Sequence, residues 1–212
     1  MAENSNISVT GLGSAGTESS APFFPIREPI IFPYSLTPLQ VEEENLPALR
    51  CAMEKDRLLA IYPELPDDGE LGALPVQITL KLFNFKEKRR SGVGVLVRVV
   101  KELNFPDGSV RILVRGLKRI LCRAIDTEDG VAIARSQVCF ESNGETEDAE
   151  NKARQKSVVA SFLELAGSLP GLPEELQVAV CNAESPARLA DLVADALSLN
   201  YAEKVLMLAT PD

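Results

Sequence analysis

Residues 92–114 read GVGVLVRVVKELNFPDGSVRILV, and the reading of the whole chain starts from this stretch. Val93, Val95, Val97 and Val99 occupy alternate positions, and Val110, Ile112 and Val114 repeat the alternation after a gap. Successive side chains on a strand point to opposite faces, so each run describes a strand with one buried, β-branched face. Between the runs stands Phe105-Pro106-Asp107-Gly108. Proline presets φ for the first turn position and glycine accepts φ > 0, which predicts a β-hairpin. A hairpin of this kind carries no chemistry by itself.

Working outward, Arg115-Gly116-Leu117-Lys118-Arg119 reads as a link to a strand around Ile120–Ile125. A turn at Glu128-Asp129-Gly130 and a strand over Val131–Phe140 follow. On the N-terminal side, Lys86 to Gly92 reads as a basic turn. Val76, Ile78, Leu80 and Leu82 alternate before it, and Phe83 and Phe85 take the opposite parity. Pro63 to Leu74 is punctuated as a loop, and Arg57 to Tyr62 reads as a buried strand. Ahead of that strand, Leu46, Leu49 and Met53 share one helical face, with Asn45 placed to cap it and Pro47 in the first turn. The segments Phe23–Arg27 and Pro29–Tyr34 are apolar but broken by proline, which predicts edge strands, strand starts or tight connections. Residues 22–140 therefore predict six or seven strands, largely antiparallel, and one helix, arranged as a compact barrel-like sheet.

Residues 141–212 change character. After a polar, acidic lead-in, Val158, Val159, Phe162, Leu163 and Leu165 predict the apolar face of a helix. Glu174–Cys181 predicts a second helix. Ser185-Pro186 starts a third by N-cap and first-turn proline, with Leu189, Leu192, Val193, Ala196 and Leu197 on one face. Asn200-Tyr201-Ala202-Glu203 is a capping box that starts a fourth. Few residues remain after that start, so the chain reads as cut within a helical subdomain. The fold class expected is α+β: a leader over 1–21, a β-rich domain over 22–140 and a truncated helical part over 141–212.

The leader is rich in Ser, Gly, Ala, Thr and Asn and reads as disordered. Gly11-Leu12-Gly13-Ser14-Ala15-Gly16 matches a dinucleotide-binding spacing, but Ser-Ser-Ala-Pro-Phe-Phe-Pro follows where a helix would be needed. The sequon at Asn6-Ile7-Ser8 has meaning only in a secreted protein. No basic-then-apolar secretory signal is present, and no apolar run approaches the ~20 residues that span a bilayer.

Composition removes several kinds of chemistry. There is no histidine among the 212 residues, which removes the commonest general base and metal ligand. Cys51, Cys122, Cys139 and Cys181 lie far apart among apolar residues, so they read as small buried hydrophobes in a reducing, cytoplasmic setting. The net charge of −9 divides into −2 over residues 1–21, +1 over 22–140 and −8 over 141–212. A nucleic-acid binder presents a basic field, so this distribution argues against DNA or RNA.

Four matches resemble the N-terminal domain of Lon, the ATP-dependent protease. They are Pro25–Pro33, Glu54-Lys55-Asp56-Arg57-Leu58-Leu59, the hairpin with Val114-Arg115-Gly116-Leu117-Lys118-Arg119, and the pair Arg188–Ala194 and Glu203–Leu208. The resemblance implies a PUA-like pseudo-barrel followed by a helical bundle. It implies recognition and holding of unfolded, damaged or degron-bearing proteins for an ATP-driven unfoldase and serine endopeptidase. ATP and magnesium would belong to the ATPase module of a longer, homo-oligomeric parent, with no catalytic residue, cofactor or metal in this chain. No phosphate-binding G-x-x-x-x-G-K-[ST] loop occurs here. A stand-alone adaptor is one alternative. A PUA-like RNA-binding module, using Arg89, Arg90, Arg111, Arg115, Lys118 and Arg119, is another.

Exposed apolar patches suit substrate capture, and Leu82, Phe83 and Phe85 beside Lys86–Arg90 are the candidates for such contact. The plainer reading makes the phenylalanines core and the basic run a solvated turn, and it is the one the pattern favours.

Overall fold

The computed structural model describes residues 17–65, 82–85, 88–139, 149–168 and 172–210. The glycine-rich match at 11–16, the sequon and the loop and strand expected over 66–81 lie outside these residues. Eight strands are described: β1 (Glu18–Ile26), β2 (Leu36–Val41), β3 (Leu58–Pro63), β4 (Leu82–Phe85), β5 (Lys88–Ser91), β6 (Val93–Asn104), β7 (Val110–Glu128) and β8 (Val131–Val138). The helices are α1 (Leu46–Glu54), α2 (Ala149–Ser168), α3 (Glu174–Cys181), α4 (Pro186–Ala196) and α5 (Tyr201–Ala209).

Six strands form one sheet in the order β2-β7-β6-β3-β1-β8, and a further β7–β8 pairing closes it into a barrel. Closure depends on β7, which is 19 residues long. Its first part pairs with β2 through Leu36↔Arg115 to Val41↔Val110, and its last part pairs with β8 through Ile120↔Val138 to Glu128↔Val131. Arg115–Arg119 is therefore no linker, as the reading of the sequence expected, but the middle of one continuous strand. Gly116 makes this possible. A Cβ there would overlap the Phe32 carbonyl oxygen, and the glycine exchanges hydrogen bonds of 3.0 Å with Tyr34 and Ser35.

The hairpin of β6 and β7 buries the side its pattern predicts. Val93, Val95, Val97, Val99, Val110, Ile112 and Val114 are all buried. The turn closes through Gly108 N–H to the Phe105 carbonyl at 3.0 Å, and Gly108 has φ +83°. Asp107 Oδ1 accepts from the Ser109 amide at 2.9 Å and its hydroxyl at 2.7 Å. Those bonds hold the Asp107 carboxyl below its usual range. Replacing Val97 or Ile112 by alanine lowers stability by about 1–4 kcal/mol, because each leaves a cavity in a closed barrel. Urea unfolding measures it; an unchanged midpoint would place the buried face on the other side.

Two proline-broken segments resolve differently. Pro29–Tyr34 is a tight connection that buries Ile30, Ile31 and Phe32. Residues 22–26 belong to β1, which is a central strand rather than an edge. It changes partner midway: Glu18–Pro22 pair antiparallel with β8, and Phe23–Ile26 pair parallel with β3. Pro22 and Pro25 each have a ladder partner on one side only, so the missing N–H groups cost no ladder bond on the other. The strand begins at Glu18, ahead of the Pro22 start that composition suggests, because β8 supplies the bonding partners. The β1–β3 pair is parallel, and the other strand pairings among the described residues are antiparallel, as the largely antiparallel expectation has it.

Capping chemistry follows local sequence in two of three cases. Ser185 Oγ accepts from the Arg188 amide at 3.1 Å, and Asn200 with Glu203 forms both halves of a capping box. Asn45 makes no capping bond to α1. A 3₁₀ turn over Glu43–Asn45 leads into that helix, and the Asn45 side-chain Nδ2 donates instead to the Pro25 carbonyl at 3.0 Å, tying the helix to β1.

The helices do not pack only among themselves. Phe162, Ala166, Val180 and Leu189 form a small core between α2, α3 and α4. Ala194, Val205 and Leu208, from α4 and α5, join the core cluster of the barrel. The two parts are also joined by a buried ion pair. Arg119 on β7 donates to both carboxylate oxygens of Asp191 on α4, at 2.9 and 2.5 Å, and through Nε to the Leu208 carbonyl at 3.1 Å.

Candidate functional site

Leu82, Phe83 and Phe85 lie on β4, which pairs only with β5 in a two-stranded ribbon outside the six-stranded sheet. The register sets Leu82 opposite Ser91, Phe83 opposite Arg90, Asn84 opposite Arg89 and Phe85 opposite Lys88. Side-chain placement for 82–89 falls outside the described residues. The ribbon corrects one expectation: most of the basic run is not a turn, since Lys88–Ser91 is a strand. Nor is the run uniformly solvated. Arg90 is 2% exposed and ion-paired with Glu64, and the two residues form an isolated antiparallel bridge.

Glu64 is a junction for several elements. Its amide donates to the Ile26 carbonyl at 2.8 Å, and its own carbonyl accepts from the Tyr201 hydroxyl at 2.7 Å. The Arg27 guanidinium lies 5.4 Å from the Tyr201 ring centroid, a cation–π distance. Burial raises the Tyr201 phenol above its usual range, with Arg27 opposing. The hydroxyl therefore stays protonated and keeps donating at neutral pH. The base of the ribbon is thus held by β3, by the end of β1 and by the first turn of α5.

The structure also exposes apolar surface where the sequence predicts a buried face. On α2, Phe162 and Ala166 are buried, while Val158, Leu163 and Leu165 are exposed. At 100° per residue these positions span an arc of about 160°, and one layer of neighbours covers only its middle. That width is the signal the sequence offered and the helix-face reading missed. Val178 on α3 is exposed as well. A groove of about 430 Å³ runs beside α2, lined by Lys152, Lys156, Val159, Leu163 and Cys181. Cys181 is exposed and Cys139 buried, with Cys51 and Cys122 between them, so the expectation of four buried thiols holds for one. Burial pushes the Cys122 thiol up to about 11, with Tyr62 opposing.

A nucleic-acid patch loses two of its six candidate bases. Arg90 and Arg119 are buried in ion pairs with Glu64 and Asp191. Arg111 stacks over Phe105 at 4.9 Å. Among the described residues, no group of three or more acidic or cysteine side chains is gathered for a metal ion. No described helix is long and apolar enough to cross a membrane.

The profile described as "ATP-dependent protease La (LON) substrate-binding domain" matches residues 20–212. Lon protease of Xanthomonas oryzae pv. oryzae is 28% identical over 193 residues, covering 90% of this chain and 21% of the relative. Lon protease of Dictyoglomus thermophilum is 28% identical over 193 residues, covering 90% and 22%. This chain thus spans about a fifth of the length of these relatives. The N-terminal domain of Mycobacterium avium complex Lon protease superposes with a TM-score of 0.66 at 19% identity, covering 92% of this chain and 91% of that one. A Lon N-terminal domain protein from Xanthomonas campestris gives 0.55 at 18% identity, covering 92% of each chain. These two likenesses establish the α+β fold.

Proposed function

The chain belongs to the family of Lon substrate-binding domains, and from that premise we propose that it captures and holds unfolded or degron-bearing proteins. The observation that carries this reading is the family match over residues 20–212. In a longer parent the held protein would pass to ATPase and protease modules, and this chain would supply recognition rather than catalysis. A cytoplasmic setting and a homo-oligomeric parent belong to the same proposal.

The β4–β5 ribbon is the contact element we favour. It stands outside the barrel ladder, so a change there leaves the closed sheet intact. In the sequence, the apolar Leu82, Phe83 and Phe85 are followed within a few residues by the basic Lys88 and Arg89, a composition that suits segments that are apolar and carry negative charge. Exposed Val158, Leu165 and Val178 on α2 and α3 offer a second apolar surface that an extended substrate could reach.

Changing Phe83 and Phe85 together to serine weakens binding of a permanently unfolded protein by about tenfold, the equivalent of about 1.4 kcal/mol. Fluorescence anisotropy with reduced, carboxymethylated α-lactalbumin reads the affinity, and thermal melting checks the fold. Unchanged binding with an unchanged melt would move the contact surface away from the ribbon.

A further inference from the structure

Behind the ribbon lies a pocket of about 130 Å³ between β5, the start of α1 and the β7–β8 turn. Phe23, Pro25, Pro47 and Val131 give it apolar walls, and Ala132 lines it from β8. Its polar groups are Arg90, Asn45 and Glu44. The pocket is too small for a cofactor, since such sites usually enclose about 300–1,000 Å³. It is large enough for one small side chain.

The polar groups differ in what they have left to give. The Asn45 side-chain amide is committed to the Pro25 carbonyl. Arg90 is 98% buried; its Nη1 faces Glu64, while its Nε–H is buried and has no acceptor among the described residues. A buried donor without an acceptor is costly, and native proteins rarely retain one without a use. The charge on Arg90 is already matched by Glu64, and Glu44 adds a negative charge to the wall. A carboxylate entering here would meet a net negative site. A neutral carbonyl would take the free N–H without that repulsion.

We propose that this pocket anchors a bound protein segment, with an alanine- or valine-sized side chain between the proline walls and a main-chain carbonyl accepting from Arg90 Nε. The anchor rests on the substrate-holding reading and names what that site recognises: extended chain bearing small apolar residues. Proline walls suit this occupant, since they offer apolar surface and no N–H donor of their own to compete for the carbonyl. Position adds to the argument. Arg90 is part of β5, so the pocket adjoins the ribbon.

The test is a titration of the isotope-labelled 212-residue chain with the tripeptide N-acetyl-Ala-Val-Ala-amide, following the Arg90 Nε–H resonance. The resonance moves downfield and saturates if the carbonyl binds there. Ala132→Leu, which fills the pocket from β8, abolishes the shift while the melting temperature holds. Arg90→Lys keeps the charge opposite Glu64 but removes the Nε donor, and it weakens peptide binding at least tenfold. An unmoved resonance at millimolar peptide means that solvent is the acceptor, and it overturns the anchor. The same tripeptide with a free C-terminal carboxylate binding more tightly than the amide would overturn the neutral-carbonyl assignment. Carboxymethylated α-lactalbumin separates the two levels. If it binds the wild type and Ala132→Leu equally and leaves Arg90 unmoved, the anchor falls and substrate holding stands. If it binds neither while the tripeptide shifts Arg90, the anchor stands as a peptide site and substrate holding falls.

Discussion

Asp191→Ala lowers the stability of the chain by about 3–5 kcal/mol, the range for removing one partner of a buried ion pair. The argument is one of desolvation. Asp191 is fully buried and Arg119 is 4% exposed. Each guanidinium nitrogen of Arg119 has an acceptor: Asp191 Oδ1 and Oδ2 for the two terminal nitrogens and the Leu208 carbonyl for Nε. Without Asp191 the guanidinium keeps its charge in an interior that offers one neutral carbonyl. Water must enter between β7 and α4, or the helices must lift from the barrel. The loss is a large share of a typical total of about 5–15 kcal/mol. Urea unfolding measures it. The double variant Arg119→Met with Asp191→Leu loses much less than either single change, because an apolar pair leaves no buried charge uncompensated. Equal losses from single and double variants would show that packing, not charge, governs the site.

Gly94→Ala is the second large effect, with a loss of at least about 3 kcal/mol, beyond ordinary overpacking. Gly94 lies on β6 where it faces β3, and a methyl group there would overlap the Ile61 carbonyl oxygen. It would also stand 2.6 Å from Tyr62 Cδ1 and 2.8 Å from Cε1. Neither neighbour can yield. The carbonyl belongs to the β3–β6 ladder, and Tyr62 is fully buried, stacked on Phe23 at 5.6 Å and hydrogen-bonded to Ser136 at 2.7 Å. Relief would require parting two strands of a closed barrel. Thermal melting reads the result, and an unshifted midpoint would mean that the barrel breathes at this seam. Gly108→Ala makes a useful contrast. A Cβ added there meets no heavy atom within 4 Å beyond its chain neighbours, so its cost comes from the φ of +83° alone and is smaller.

The hairpin was legible because its information is local. Alternation from Val93 to Val99 and from Val110 to Val114 names the buried face, and Pro106-Asp107-Gly108 names the turn. The caps at Ser185 and Asn200 were legible for the same reason, since each bonds an amide three residues away. The family resemblance, carried by these stretches, extended correctly to the fold class. The candidate site was legible only as composition. Leu82, Phe83 and Phe85 beside a basic run mark an unusual surface, but nothing within the run distinguishes Arg90, which is buried, from its neighbours.

Sequence by itself determined the β6–β7 hairpin with its buried face and the capped starts of α4 and α5, because periodicity and capping act within a few residues. Tertiary structure alone decided how far an element runs and which charges go inside. Arg115–Arg119 reads as a basic connector until Gly116 admits the Phe32 carbonyl and β7 continues unbroken to Glu128. Asn45 reads as a cap until Pro25 arrives from 20 residues away. Arg119 and Asp191 are 72 residues apart and are ordinary surface residues by type. What singles them out is the loss of water around both when α4 and α5 close on the barrel, and desolvation depends on the packed neighbours of a residue rather than on its place in the chain.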